Sequence, residues 1–385
     1  MEGVIPGFSG TAWPDLVVLF FSKSCLMEPT PTQLVLFFVG LAGALVLSGV
    51  LLSRLWKQYS EGRDVVPYRP RRPVPWGGWD VLAVGVLFLL APSLVHWVWQ
   101  AAKLPIPVVE VAPEIPEHEK KTTLANAPGR EPVGQDSSGQ QPQEDLGHQV
   151  EQLLRQTRGM GVWLAVVLVT LVAAPVVEEW VFRAVLQGWL EKWERRVVRA
   201  IRSVQRAAIQ RGIIPYSDRP VRIGWPRVRW LGWGPVVFSS LIFAGLHFRT
   251  AGPTAPPEEL LRILLCQGLG NLVCLVGGGA FLMLGSGARP ADFGLGGAEA
   301  WKDIRRGLMA YLVVIGPVYL AMILTKVVLI LLGAAQIAPD PVPLFLLSLV
   351  LGGLYFRTHS LLACIILHIA FNATGLALFL LFWPG

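Results

Sequence analysis

Apolar residues gather in eight long runs, and the polar residues collect between them. The runs fall at 34–52, 79–99, 161–190, 233–247, 260–284, 308–332, 343–356 and 361–382. At 1.5 Å per residue, about 20 such residues in a helix cross the roughly 30 Å hydrocarbon core of a bilayer. A spanning segment must satisfy its own backbone, which a helix does. The pattern therefore predicts an all-α fold: a polytopic transmembrane helical bundle of about eight spans. An earlier run at 16–21 is too short to cross and is expected at the interface. Tryptophans at both ends of the second run read as interface anchors. Pro175 is expected to kink the third span.

The segments between the runs differ in kind. Residues 1–100 form an N-terminal membrane hairpin of two spans. Residues 101–158 turn from proline-rich to Glu-, Lys-, Gly-, Ser- and Gln-rich, which cannot bury a core. They are expected to be a disordered extracytoplasmic linker, with a short helix at 149–155. Residues 159–385 carry the remaining spans, with an expanded two-span region at about 259–333 whose first span is glycine-rich.

Composition agrees with a membrane protein. Charged residues make up 15% of the chain, against about 25% in soluble domains. The net charge is +7, but the basic residues are clustered. One cluster, Arg54, Lys57, Arg63, Arg69, Arg71 and Arg72, follows the first span; a second runs from Lys192 to Arg229. Placing both in cytoplasmic loops obeys the positive-inside rule and puts both termini outside. Topology then explains the basic excess without nucleic acid, and contact with anionic lipid headgroups is compatible with it. The expected location is a bacterial inner membrane. The first residues lack a basic n-region, so no secretory signal peptide is expected. Cys25, Cys266, Cys274 and Cys364 lack metal-ligand spacing and read as small apolar packers.

The chemistry centres on Glu178 and Glu179, set inside the third apolar run. Charge there is expensive and marks a site or a partner. On a helix Glu179 and Arg183 share a face, while Glu178 points about 100° away. One carboxylate can thus be neutralised by the arginine while the other stays free. His247 ends the fourth run, and His368 and Asn372 share a face of the eighth. Counted from the basic ends, Glu178 and His247 lie on the order of 20 Å deep, and His368 and Asn372 roughly 12 to 18 Å. Singly, each polar residue is a common interhelical hydrogen-bonder. Together they supply what amide hydrolysis needs: a carboxylate base, an imidazole to hold water, and oxyanion donors.

Glu178-Glu179-x-x-x-Arg183, Phe243-x-x-x-His247 and His368-x-x-x-Asn372 resemble the three ordered motifs of the CAAX-protease and bacteriocin-processing (CPBP, or Abi) family of intramembrane endopeptidases. Ala174-Pro175 and the segment from Gly353 to Leu361 match the flanks. The resemblance covers about 160–250 and 343–382. It implies a glutamate-dependent protease core at 159–385. Glu178 would be the general base, His247 would hold the attacking water, and His368 and Asn372 would form the oxyanion site. Glu179 and Arg183 would support them, with no cofactor. The partners implied are a membrane-associated peptide or protein substrate and the lipid bilayer. Ala184 stands where a glycine usually follows the arginine, and the gap between the second and third motifs holds two extra spans. In that gap, Arg289-Pro290-Ala291-Asp292-Phe293-Gly294-Leu295 resembles a segment that the family more often carries upstream.

Three other readings compete. Two histidines and two glutamates could ligate zinc, but the chain lacks His-Glu-x-x-His and any His pair at i, i+4, so the metal-free mechanism is preferred. A catalytically silent scaffold or a bacteriocin self-immunity protein would use the polar cluster for packing or partner binding. A transporter would call for discontinuous helices and paired half-repeats, which are not evident.

Overall fold

The computed structural model describes residues 30–105, 153–154, 159–213, 232–248, 256–296, 299–334 and 341–382. The apolar run at 16–21 and nearly all of the 101–158 segment lie outside these residues.

Helix α1 (Pro31–Ser60) starts on a capping box. Thr30 Oγ1 accepts from Gln33 N at 3.2 Å, and Gln33 Oε1 accepts from Thr30 N at 2.9 Å. Helix α2 (Gly78–Ala101) starts where Asp80 accepts from Gly77 N at 2.7 Å. Helix α3 (Met160–Gln210) is one helical run of 51 residues, about 76 Å long. Its continuation past residue 190 corrects the expectation of a basic loop from Lys192 onward. Residues 189–210 contain neither glycine nor proline, so nothing halts the helix before Gly212, which closes it at φ +68°.

Five more helices follow: α4 (Trp233–Leu246), α5 (Pro257–Ser286), α6 (Ala300–Leu331), α7 (Pro341–Thr358) and α8 (Leu361–Phe382). Seven of the eight are long and apolar enough to cross a bilayer. The exception, α4, has 14 residues and reaches about 21 Å, short of the ~30 Å core. Outward-facing apolar side chains such as Val39 and Val46 on α1, Leu89 on α2 and Val328 on α6 form the rim that lipid covers. The chain is a multi-pass integral membrane protein with an all-α fold.

The N-terminal hairpin packs on the pair of helices between the second and third motifs: α1 along α6, and α2 along α5. In turn α6 packs on α7 and α8, and α4 lies against α7. At the α1–α6 crossing a Cβ on Gly316 would sit 2.9 Å from the Ala44 carbonyl oxygen, so only glycine admits this approach. Cys266, Cys274 and Cys364 are buried and unpaired.

The basic segment after α1 is a strap across one end of the bundle. Arg72 Nε donates to Asp292 at 2.6 Å, and Arg69 pairs with Glu299 and Asp303. Arg71 Nη1 donates to the Tyr355 hydroxyl at 2.6 Å. The hydrogen bond from Arg72 holds the Asp292 carboxyl below the usual carboxylate range. His359, at φ 47° between α7 and α8, bonds to Arg69 O at 2.7 Å and faces Glu191 of α3 at 3.2 Å. The strap, the far part of α3, the start of α4, the 3₁₀ turn Pro290–Phe293 and the α7–α8 junction thus share one end of the molecule. Phe293 stacks on Trp76 of the strap at 5.2 Å and touches Trp180 at 5.9 Å, one residue from Glu179. The end gathered by the strap therefore backs directly onto the glutamate pair.

Candidate active site

The glutamates occupy a short α-helical turn of α3, Ala174–Glu179, between two π-helical segments, Val167–Ala173 and Trp180–Gln187. Pro175 is a physical cause of the first. It has no N–H to give, and its ring crowds the carbonyl one turn back. Ala174 N instead reaches Val169 O. The Thr170 carbonyl then accepts from Asn372 Nδ2 of α8 at 3.0 Å. A π segment widens the helix and re-aims its side chains, an arrangement common at functional sites.

Glu179 is fully buried and accepts from Arg183 Nε at 3.2 Å and from His368 Nδ1 at 2.9 Å. Arg183, equally buried, donates to Ser239 Oγ of α4 at 3.3 Å and to Ser348 Oγ of α7 at 2.6 Å. Its guanidinium carbon lies 5.7 Å from the Phe243 ring centre. One cation thereby fastens three helices, and Glu179 carries the link to His368 on a fourth. Gly352 of α7 leaves it the room: a Cβ there would be 2.9 Å from Val236 and 3.4 Å from Arg183 Nη1.

Glu178 turns away from this pair and keeps 18% of its side-chain surface exposed. Its Oε1 lies 3.9 Å from His247 Nε2, and its Oε2 lies 3.7 Å from His368 Nε2. The shortness of α4 matters here, because His247 at its C-terminal end comes to the depth of Glu178. His247 Nδ1 is 2.7 Å from the Phe243 carbonyl oxygen. A carbonyl can only accept, so Nδ1 carries the proton, and in the neutral ring Nε2 faces Glu178 as an acceptor. The same logic at Glu179 puts a proton on His368 Nδ1 and turns its Nε2 toward Glu178. Phe243 packs against both imidazoles, with ring centres 4.4 Å from His247 and 6.1 Å from His368.

Glu178, His247 and His368 therefore come together from α3, α4 and α8, backed by Glu179 and Arg183. Asn372 lies one helical turn beyond His368, and its hydrogen bond goes to Thr170 O rather than to Glu178. Among the described residues, no group of three or more His, Cys, Asp or Glu side chains is placed so that it could hold a metal ion. Sequence reasoning missed Ser239, Ser348 and Thr170. The signal of the two serines was a hydroxyl inside an apolar run, which in lipid has to find a partner; that of Thr170 was its backbone carbonyl upstream of Pro175, which Asn372 fills.

A model of the Rce1-like family, described as type II CAAX prenyl endopeptidase Rce1-like, matches residues 160–284 and 304–374, more than half of the chain. The chain belongs to the Rce1-like family. All of the site residues named above lie within the matched segments. So do most of α5 and α6, and the residues left out between them are 285–303, which include the 3₁₀ turn. Helices α1 and α2 and the strap precede the match. No curated protein and no solved structure matches the chain. Membership in the family makes the protein a CAAX-type intramembrane protease in general character.

Proposed function

We propose that the protein hydrolyses a peptide bond of a membrane-associated, prenylated substrate with water activated by Glu178 and without a metal. The placement of the Glu178 carboxylate between two imidazoles carries this reading. A separation of 3.9 Å between Glu178 Oε1 and His247 Nε2 is too long for a direct bond and suits a bridging water. Such a water, about 2.8 Å from each atom, would donate one proton to each and present a lone pair for attack. Glu178 then takes the proton of the attacking water and passes it to the leaving amine. His368, protonated at Nε2, donates to the oxyanion; Glu179 holds its ring in place and balances its charge.

In this reading the second N–H of Asn372 joins the oxyanion site. Asn372→Ala should then lower the rate by about 10² to 10³, as loss of one oxyanion donor does. If only its melting temperature falls and the rate stays within a few-fold of wild type, Asn372 is a fastener for the Thr170 carbonyl and nothing more.

The substrate class is tested with paired peptides that end in a CAAX sequence, one farnesylated and one not, in detergent after exhaustive chelation. Cleavage of the farnesylated peptide alone, at an undiminished rate, supports the reading. Equal cleavage of both peptides would remove the prenyl group from it, and loss of activity restored by zinc would remove the metal-free mechanism.

We further infer that the end gathered by the strap faces the cytoplasm of an inner membrane, because the basic residues concentrate there. Cysteines placed at positions 203 and 137 should react with impermeant thiol reagents from opposite sides. Labelling of both from one side would contradict this topology.

A further inference from the structure

At the basic end, outside the candidate active site, a groove of about 410 Å³ opens between the far part of α3, the strap, and the ends of α4 and α7. That volume is in the range of small-ligand sites. Its aromatic floor is Phe356 with Tyr68, whose rings lie 5.8 Å apart. Gly232, at φ +95°, forms the wall. A Cβ there would fall 2.1 Å from the Phe356 ring, so this close approach and this backbone angle both call for glycine.

The rim carries Arg195, Arg199 and Arg202 of α3, with Glu194 as the opposing charge. Glu194 is turned onto the backbone, accepting from Gly232 N at 2.8 Å. Arg195 is shared between Glu191 at 3.6 Å and the Tyr68 hydroxyl at 3.4 Å. Arg199 lines the groove and donates Nε to Arg195 O at 3.3 Å, a bond that does not use its terminal nitrogens. Among the described residues, neither Arg199 nor Arg202 has a carboxylate partner. Two guanidinium groups thus edge a concave aromatic site with no carboxylate paired to them among the described residues.

The level of the groove is set by tryptophans. Trp79 at the start of α2, Trp193 on α3 and Trp233 at the start of α4 are exposed at 84%, 58% and 41%. Trp189 packs beside Gly78, which ties the first two of these positions to one height. Exposed tryptophans at the ends of apolar helices mark the headgroup region. Arg199 and Arg202 follow Trp193 by roughly two helical turns, within reach of lipid phosphates.

We propose that this groove is a binding site for the headgroup of an anionic phospholipid from the adjacent leaflet. Arg199 and Arg202 would hold the phosphate, with the aromatic floor beneath it. Guanidinium forks match phosphate oxygens, and basic pockets between membrane helices suit anionic headgroups. The site is separate from the glutamate chemistry and does not depend on it.

The test titrates the full-length protein, purified in a nonionic detergent, with phosphatidylglycerol or phosphatidylcholine and counts bound lipid by native mass spectrometry. Wild-type protein should retain one phosphatidylglycerol and no phosphatidylcholine. Arg199→Ala/Arg202→Ala should weaken retention about thirtyfold, the size expected of two arginines near an anionic surface. Arg199→Lys/Arg202→Lys should keep most of it. Arg202→Glu alone, at a rim position, should weaken retention if the double alanine variant fails to fold. Equal retention of both lipids by wild-type protein, or unchanged retention in the folded charge variants, would overturn the proposal. Displacement of phosphatidylglycerol by an equal concentration of inorganic phosphate would assign the groove to free anions and overturn the lipid.

Discussion

Glu178→Gln protein should insert and melt like wild type and lose turnover by about 10² to 10⁴, the range that a general base contributes. The exchange keeps the shape of the side chain and its reach toward His247 and His368, 3.9 and 3.7 Å from its oxygens. It removes the negative charge and the capacity to take a proton. Glu178 lies outside the Arg183 clamp, so the buried pairing of Glu179 is unchanged and stability should stay within about 0.5 kcal/mol. His247→Ala should cost a similar factor, because it removes the other acceptor for the water. A folded Glu178→Gln protein that cleaves at the wild-type rate would remove the carboxylate from the mechanism.

Arg183→Ala should instead break the fold. The guanidinium is fully buried and holds Glu179, Ser239 and Ser348. Its removal leaves the Glu179 carboxylate buried with only His368 as partner and takes the donor from Ser348, while Ser239 keeps its bond to Val236 O. Removing one partner of a buried ion pair costs about 3 to 5 kcal/mol, a large share of the stability of most domains. The readout is thermal unfolding in detergent together with yield from the membrane. Arg183→Lys should recover part of the loss, since an ammonium restores the charge but cannot reach all three partners in a planar fork. Wild-type stability in Arg183→Ala would mean that the clamp holds nothing together.

Much of this arrangement was legible in the sequence for a simple reason. In lipid, a charge inside an apolar run is expensive and marks a site or a partner, and several polar residues meeting at one depth point beyond simple packing. Spacing alone placed Glu179 and Arg183 on one face and turned Glu178 away. The runs also gave the helices, because length and apolarity are what a bilayer selects. Three things were not legible. The far part of α3 is helical by its lack of glycine and proline, but its basic residues resemble a loop when only hydropathy is read. The strap has no periodicity, and its pairings with Asp292, Glu299 and Glu191 join residues more than 100 positions apart. The vacant acceptor at Thr170 follows from Pro175, yet which side chain fills it depends on how α8 docks. Asn372 was therefore visible as a polar residue on the right face, while its bond to Thr170 was not.

The proposed hydrolysis requires a water molecule as the nucleophile and Glu178 as its base. The most direct measurement is a single turnover of a farnesylated CAAX peptide by chelator-treated wild-type protein in ¹⁸O-labelled water, with product and enzyme read by mass spectrometry. Direct attack by activated water predicts one solvent ¹⁸O in the new C-terminal carboxylate at the first turnover and none in the peptide that carries Glu178. An unlabelled product with ¹⁸O at Glu178, or no product until zinc is restored, would contradict it.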